Sequence, residues 1–235
     1  MIHIEQNKFR HEYKYQASDQ HLVQVMNRIG PLCQSDPNTD SRGIYRVRSL
    51  YFDDMYDTCY YENEGGTDPR EKFRIRIYPG NNAGITLELK RKEKGKTLKT
   101  SCPISEEECR SLMIGKTVEP GDRFLLKKLY ILMQTRGMEP RIIVEYERRP
   151  LIYPLGNVRV TFDRNIAMSG DLDLFLNEDI PLRPILPASQ HILEVKFDEF
   201  LPDPIKWAVS MPDLKHSAFS KYYICAYFNK LKMEN

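Results

Sequence analysis

Between Arg70 and Thr100 the chain reads REKFRIRIYPGNNAGITLELKRKEKGKTLKT, with basic side chains recurring at alternate positions. Arg74 and Arg76 are followed by Lys90 and Lys92, and then by Lys99 beyond a glycine turn. In a strand, residues two apart share a face. Arg74 and Arg76 therefore project together, and Phe73, Ile75 and Ile77 project the other way. Glu88, Lys90 and Lys92 likewise share a face opposite Leu87 and Leu89. The stretch predicts three short strands joined by turns at Pro79 to Gly84 and Glu93 to Lys96. A sheet face this positive is costly unless water or an anion compensates it. A solvated outer face is the plainest reading, but the same pattern recurs in other strands.

Lys8 to Tyr15 places Arg10, Glu12 and Lys14 on one face and Phe9, His11, Tyr13 and Tyr15 on the other. Ser18 is a predicted N-cap, with a helix to about Ile29 that ends at Gly30-Pro31. Gln34 to Gly43 is polar and turn-rich, and reads as a loop. Ile44 to Phe52 is a strand with Arg46 and Arg48 on one face. Asp53 is expected to cap a short helix from Asp54 to Glu62, with Met55, Cys59 and Tyr60 as its apolar side.

Beyond the three opening strands, Ser105 and Glu108 form a capping-box pattern for a helix to about Ile114. A second helix is expected from Asp122 to Thr135, its apolar face carrying Phe124, Leu125, Leu129, Leu132 and Met133, with Gly137 as its stop. Strands are predicted at Arg141 to Ile152, Val158 to Ile166 and His191 to Phe197, with a short one at Leu172 to Phe175. The Pro-rich segment Pro181 to Pro187 is a connection. Two helices close the chain, at about Pro204 to Val209 and Ser217 to Leu231, with Ser217 as N-cap of the latter.

With 235 residues and no linker or repeat, the chain is expected to form a single domain over 1–235. Its 35 basic and 33 acidic residues give a formal charge of only +2, so an anion site must come from local clustering. The five cysteines have no CxxC spacing and read as reduced packing thiols. His3, His11, His21, His191 and His216 lack metal-ligand spacing. There is no Walker loop and no GxGxxG. The opening residues lack a signal-peptide core, and no run reaches the roughly 18 apolar residues of a membrane span.

About eight strands, each with one apolar and one charged face, admit two architectures. An open sheet would turn the charges to water. A closed barrel packed outward against helices would turn them inward to line a tunnel. Periodicity does not choose between them.

The ordered set of charged positions does carry a resemblance. It runs Arg10-x-Glu12-x-Lys14, Ser49-x-Tyr51-Phe52-Asp53, Phe73-Arg74-x-Arg76, Glu88-x-Lys90-Arg91-Lys92 and Lys96-x-x-Lys99. It continues with Tyr146-x-Arg148, Arg159-x-Thr161-x-Asp163, Glu194-Val195-Lys196 and Phe219-Ser220-Lys221. No single piece is specific, but the order over residues 7–230 resembles the polyphosphate polymerase (VTC) domain. That domain is the catalytic domain of the fungal vacuolar transporter chaperone complex and one of the CYTH-like triphosphate tunnel metalloenzymes.

The resemblance implies an α+β fold: an antiparallel eight-stranded β-barrel tunnel with helices packed outside. It implies an ATP–polyphosphate phosphotransferase that moves the γ-phosphate of ATP onto a growing polyphosphate chain. By position, the phosphate contacts would be Lys14, Arg74, Arg76, Lys90, Lys99, Arg148, Arg159 and Lys221. Of these, Lys14, Arg74, Arg76, Lys90 and Arg159 would also hold the nucleotide's phosphates. Mn²⁺ or Mg²⁺ would sit on Glu194, with Glu12 as a second ligand. Strict alternation puts Arg148 with Val144 and Tyr146, and Arg149 with Glu145 and Glu147. The resemblance selects Arg148 for the tunnel and implies a bulge nearby. Arg46 and Arg48 are further candidates, and Glu88 would orient a lysine or assist the metal.

Phosphoryl transfer needs positioning and charge neutralisation more than covalent chemistry. Arginine forks grip phosphate oxygens, and lysines act as point charges. Tunnel triphosphatases open with Glu-x-Glu-x-Lys, whereas this chain has Arg10 at the first position. Losing that acidic ligand disfavours a water-activating hydrolase and suits a polymerase, whose nucleophile is already anionic. The alternatives are a triphosphatase or short-chain polyphosphatase, and a non-catalytic polyphosphate-binding module. Nucleic acid is not an expected partner, because aromatics do not interleave with the cations as stacking platforms. The expected setting is the cytoplasm, or the inner face of a membrane through a separate membrane-protein partner.

Overall fold

The computed structural model describes residues 8–81 and 83–233. His3 lies outside them. In chain order the regular elements are β1 (Arg10–Ser18), α1 (Asp19–Ile29), β2 (Gln34–Ser35), β3 (Tyr45–Asp53), α2 (Thr58–Glu64), β4 (Arg70–Ile77), β5 (Ile85–Glu93) and β6 (Lys96–Ile104). They continue with α3 (Glu106–Met113), α4 (Phe124–Arg136), β7 (Glu139–Tyr153), β8 (Val158–Ser169), β9 (Arg183–Pro184), β10 (Gln190–Phe197), α5 (Asp203–Val209) and α6 (Lys221–Met233).

The strands pair in the order β7-β3-β4-β5-β6-β1-β10-β8, and β8 pairs back onto β7, so eight antiparallel strands close into a barrel. The two-residue strands β2 and β9 pair with the stretches of β7 and β8 that run past β3 and β10. Closure removes the unpaired edges an open sheet would carry.

Register carries one face around the ring. Lys14 lies opposite Glu194, and Glu194 opposite Thr161. Arg74 lies opposite both Tyr51 and Glu88, and Lys90 opposite Lys99. This charged face points inward. The apolar face points outward and is covered by helices. Leu22, Val25 and Ile29 of α1 and Ile205 and Ala208 of α5 cover Val160, Leu193 and Val195. Cys109 and Leu112 of α3 and Leu125, Leu126 and Leu129 of α4 cover Leu50, Phe73, Ile75, Leu87 and Leu89. Ser18 caps α1 through a capping box with His21, and Ser105 caps α3 with Glu108.

At one end the inward face turns apolar. Val47, Ile142, Val144 and Ile192 meet Phe219, Tyr222, Cys225 and Ala226. There α6, with α2 beside it, sits against the barrel end rather than on its flank. All the cysteines among the described residues are free thiols, four of them buried. No helix among the described residues is long and apolar enough to cross a membrane.

Several local expectations are corrected. Helix α6 starts at Lys221, capped by the Ser220 hydroxyl, which accepts the Tyr223 N–H at 3.3 Å. Ser217 instead donates its N–H to the Lys14 carbonyl at 2.8 Å, extending the sheet past β1. Leu172 to Leu174 form a 3₁₀ turn and not a strand, because Leu172 and Phe175, three apart, both pack on one cluster. Helix α2 begins at Thr58, yet Asp53 still accepts the Cys59 and Tyr60 N–H groups at 2.8 and 3.0 Å. Met55 and Phe124 are exposed, not parts of apolar faces. Arg46 and Arg48 point out of the barrel: Arg48 is wholly buried beneath the 175–178 segment, donating to the Phe175 and Glu178 carbonyls.

Candidate functional site

The largest charged concentration lies inside the barrel, around a cavity of about 180 Å³. Its wall has Lys14, Arg70, Lys72, Arg74, Arg76, Lys90, Lys92, Arg148, Lys196 and Lys221, set against only Glu12 and Glu194. Ten cations against two carboxylates is a local excess that the chain's formal +2 conceals. Alternation produces it: five strands each send one to four such cations inward, and α6 adds Lys221.

The wall is organised by a small number of carboxylates. Glu88, buried behind it, takes Arg74 Nε and Nη2 both at 2.7 Å, with Arg76 and Lys99 each at 3.6 Å. Burial alone would raise the Glu88 pKa, but Arg76, Arg74 and Lys99 outweigh it and hold the carboxyl far below its usual range. Asp163 accepts Arg148 Nε at 2.6 Å and Nη2 at 2.7 Å, and Lys221 Nζ at 2.7 Å. Burial is again outweighed there, by Arg148 and Lys221, and Asp163 stays ionised.

Glu12 and Glu194 face each other across two lysines. Lys14 Nζ is 3.7 Å from Glu12 and 3.8 Å from Glu194, and Lys196 Nζ is 3.9 and 3.5 Å from the same two. Lys90 bonds Glu12 at 2.8 Å, and Arg148 bonds Glu194 at 3.2 Å. Burial would raise Glu12, but Lys90, Lys14 and Lys196 hold it well below the carboxylate range. Among the described residues no group of three or more His, Cys, Asp or Glu could hold a metal by itself. Glu12 and Glu194, which line one cavity and flank the same two lysines, would suit a hard cation that takes its remaining ligands from phosphate oxygens and water.

The cations are crowded and partly dehydrated. Burial pushes Lys14 and Lys196 down to about 8 and Lys72 down to about 7, against the opposing pull of nearby carboxylates. Burial also pulls Lys90 well below the usual lysine value. Arg76 Nε is buried with no hydrogen-bond partner. A buried guanidinium N–H left open on a cavity wall is available to a ligand or to water.

Lys14, Arg74, Arg76, Lys90, Arg148 and Lys221, with Glu12 and Glu194, are thus brought to one cavity. Lys99 and Arg159 do not line it. Lys99, on the inner face opposite Lys90, pairs with Glu88 at 3.6 Å beside the cavity, and Arg159 Nη2 donates to Asp36 at 2.6 Å and to Tyr45 at 2.8 Å. Arg148 rather than Arg149 faces inward, and the expected bulge lies between Glu145 and Glu147. Arg149 instead donates to the Arg42 carbonyl outside the barrel at 2.6 Å. Arg10 also leaves the cavity, pairing with Asp198 at 2.8 Å.

Sequence reasoning gave no site role to several wall residues, among them Arg70, Lys72, Lys92, Tyr146 and Lys196. Lys196, two after Glu194, and Lys72, two before Arg74, obey the alternation that found their neighbours. Tyr146 lies under Arg148 and Lys221, at 5.2 and 4.6 Å from its ring centre. Burial would raise its phenol, but Arg148 and Arg76 bring it below the usual value.

Two solved structures share the fold. One is a Bacillus halodurans protein described as a candidate adenylate cyclase, with TM-score 0.51, 12% identity, and coverage of 96% of this chain and 89% of that one. The other is a Hippeastrum protein described as a candidate adenylyl cyclase with a dominant triphosphatase activity, with TM-score 0.51, 14% identity, and coverage of 93% and 96%. No curated protein matches this chain. The model of the VTC domain matches residues 9–228, which is nearly the whole barrel with its helices, and the chain belongs to the VTC domain family.

Proposed function

We propose that this chain is a metal-dependent polyphosphate polymerase that transfers the γ-phosphate of ATP to a polyphosphate chain. The observation that carries this reading is the cavity itself, with ten Lys and Arg facing two Glu and the Arg76 Nε left open. A linear polyanion compensates such a wall along its length, whereas water does so poorly in an enclosed space.

In this reading Arg74 and Arg76 grip the transferred phosphoryl group. Glu88 fixes Arg74 by Nε and Nη2 and stands 3.6 Å from Arg76, whose Nε stays open, so little reorganisation accompanies charge development. Lys14, Lys90 and Lys196 leave their carboxylate partners in part to meet phosphate oxygens. Lys221 and Arg148 neutralise the neighbouring phosphate from the α6 side. Glu12 and Glu194 would hold Mn²⁺ or Mg²⁺ together with phosphate oxygens, and such a cation supplies charge neutralisation at the bridging and leaving oxygens. The nucleophile is a terminal phosphate oxygen of the chain, already anionic, so no general base is required. Lys99 and Arg159 serve as outer contacts, and Tyr146 presents its phenol to the same space.

A triphosphatase of the same fold is the second reading, favoured by the Hippeastrum relative. Against it, the described residues place no third carboxylate on the cavity wall to orient water, and Arg10, where such a ligand is expected, is turned to Asp198. The test is incubation with ATP and Mn²⁺, measuring ADP, phosphate and long-chain polyphosphate. Chain growth with ADP but without matching phosphate release is expected. Phosphate release alone would select the triphosphatase, and tight polyphosphate binding without turnover would leave a binding module.

A further inference from the structure

One cation of the charged inner face is held by an acid from outside the barrel strands. Arg159 is the second residue of β8 and lies opposite Lys196, whose side chain lines the cavity. Four residues on, Asp163 bonds Lys221 at the α6 end. At the strand rise of about 3.3 Å per residue, Arg159 lies about 13 Å along the tilted strand from Asp163, toward the opposite mouth. There its Nη2 meets the carboxylate of Asp36, which belongs to the loop between β2 and β3.

Asp36 is built into place. It is 4% exposed, and its Oδ1 accepts the Asn38 N–H at 2.9 Å and the Asn38 side-chain amide at 2.8 Å. Its Oδ2 is left for Arg159 at 2.6 Å. The Tyr45 hydroxyl accepts from the same Nη2 at 2.8 Å, while Arg159 Nε is buried without a hydrogen-bond partner. A carboxylate on a guanidinium satisfies the same fork that a phosphate would. A phosphate arriving at Arg159 must either displace Asp36 or share the site with a negative charge a few ångströms away, which repels it.

We propose that Asp36 is an internal competitor for Arg159 and makes this end of the barrel discriminate by chain length. The proposal rests on the reading of the cavity as a polyphosphate site. A short anion is satisfied within the central cavity, which Arg159 does not line. A long chain that continues along the barrel reaches Arg159, and only there does it contend with Asp36. The pair thus weakens the hold on long chains while leaving short ones untouched, which favours release of a lengthened product.

The test is calorimetric binding of inorganic tripolyphosphate and of long-chain polyphosphate to wild type, Asp36→Asn, Arg159→Ala and the double variant. Asparagine keeps the acceptor for Asn38 and removes only the charge. Asp36→Ser, which retains a short acceptor for the same turn, serves as the second variant if Asp36→Asn lowers the melting temperature. Wild type is expected to bind both ligands. The charge-removing variant is expected to bind long-chain polyphosphate about two- to five-fold more tightly, as for a partly exposed ion pair, with tripolyphosphate unchanged. The gain should vanish on the Arg159→Ala background. Unchanged long-chain affinity, an equal gain for both ligands, or a gain that survives Arg159→Ala would each overturn the proposal while leaving the site reading intact. Failure of wild type to bind either anion would overturn both.

Discussion

Arg148 meets Asp163 side-on through Nε and Nη2 at 2.6 and 2.7 Å, and Lys221 of α6 closes on the same carboxylate at 2.7 Å. One buried acid thereby ties strand β7, strand β8 and helix α6 together. Removing its charge leaves the Lys221 ammonium without its acid and Arg148 with Glu194 at 3.2 Å in place of a bidentate partner. Asp163→Asn is expected to cost about 3–5 kcal/mol of unfolding free energy, the usual result of breaking a buried ion pair from one side. Denaturant titration measures it. Tripolyphosphate should recover part of the loss by supplying the missing anion, and a variant as stable as wild type would refute the role given to Asp163.

Arg76 is the open donor of the cavity, while Arg74 is already tied to Glu88 and to the Tyr51 hydroxyl. Arg76→Ala is expected to weaken tripolyphosphate binding by about 1.5–3 kcal/mol, roughly ten- to a hundred-fold in Kd. Arg76→Lys should recover only part, because a point charge does not replace a fork. Calorimetry separates the three proteins; equal affinities would remove Arg76 from the site.

Glu12 and Glu194 are expected to part metal dependence from anion binding. Glu194→Gln should lower Mn²⁺-dependent turnover by at least about ten-fold. The same change takes a negative charge from the wall, so metal-free tripolyphosphate binding should hold or tighten. Full metal-dependent turnover in Glu194→Gln would exclude it as a ligand.

Lys72 gives the cavity a pH dependence of predictable sign. Burial lowers it to about 7, while it donates to Asn63 and Ser220 at 3.0 and 3.2 Å. A bound polyanion favours the charged form, so binding takes up a proton above pH 7 and affinity falls as pH rises through 7 to 8. Lys14 and Lys196, at about 8, extend the fall. Stability of the free protein runs the other way. Between about 7 and the ordinary lysine value the unfolded chain holds more protons than the folded one, so stability rises with pH there. Lys72→Arg, which does not deprotonate, should flatten the low-pH part of the binding profile. Titrations at several pH values check both slopes, and parallel slopes would contradict the assignment.

The alternation of charged and apolar side chains let most of the barrel wall be read from sequence. Arg74, Arg76, Lys90 and Glu194 each lie on the face that periodicity gives, and capping chemistry placed α1 and α3. Periodicity says which residues share a face but not which face is inside, so closure had to come from the resemblance. It also misled at β3, where Arg46 and Arg48 alternate as well as any tunnel pair. Their direction is decided by the acids and carbonyls of the 175–179 segment, far away in sequence. Arg159 and Lys99 belong to the right strands and the right face, yet Arg159 is paired with Asp36 and Lys99 with Glu88, and neither lines the cavity. The late start of α6 was hidden because Ser217 and Ser220 are equally good caps. The register of Ser217 against Lys14, a tertiary contact, decides between them.

The barrel concentrates ten cations where the whole chain carries a formal +2, so the rest of the molecule is net negative. Seen from solution, the protein is a mildly repulsive shell around an attractive bore. A polyanion too broad to enter would meet mainly the shell, whereas a slender one would cross it and be drawn in. Selectivity of this kind comes from girth and not from chemical recognition of the anion, and added salt should erode the attraction in the exposed approach sooner than in the enclosed bore.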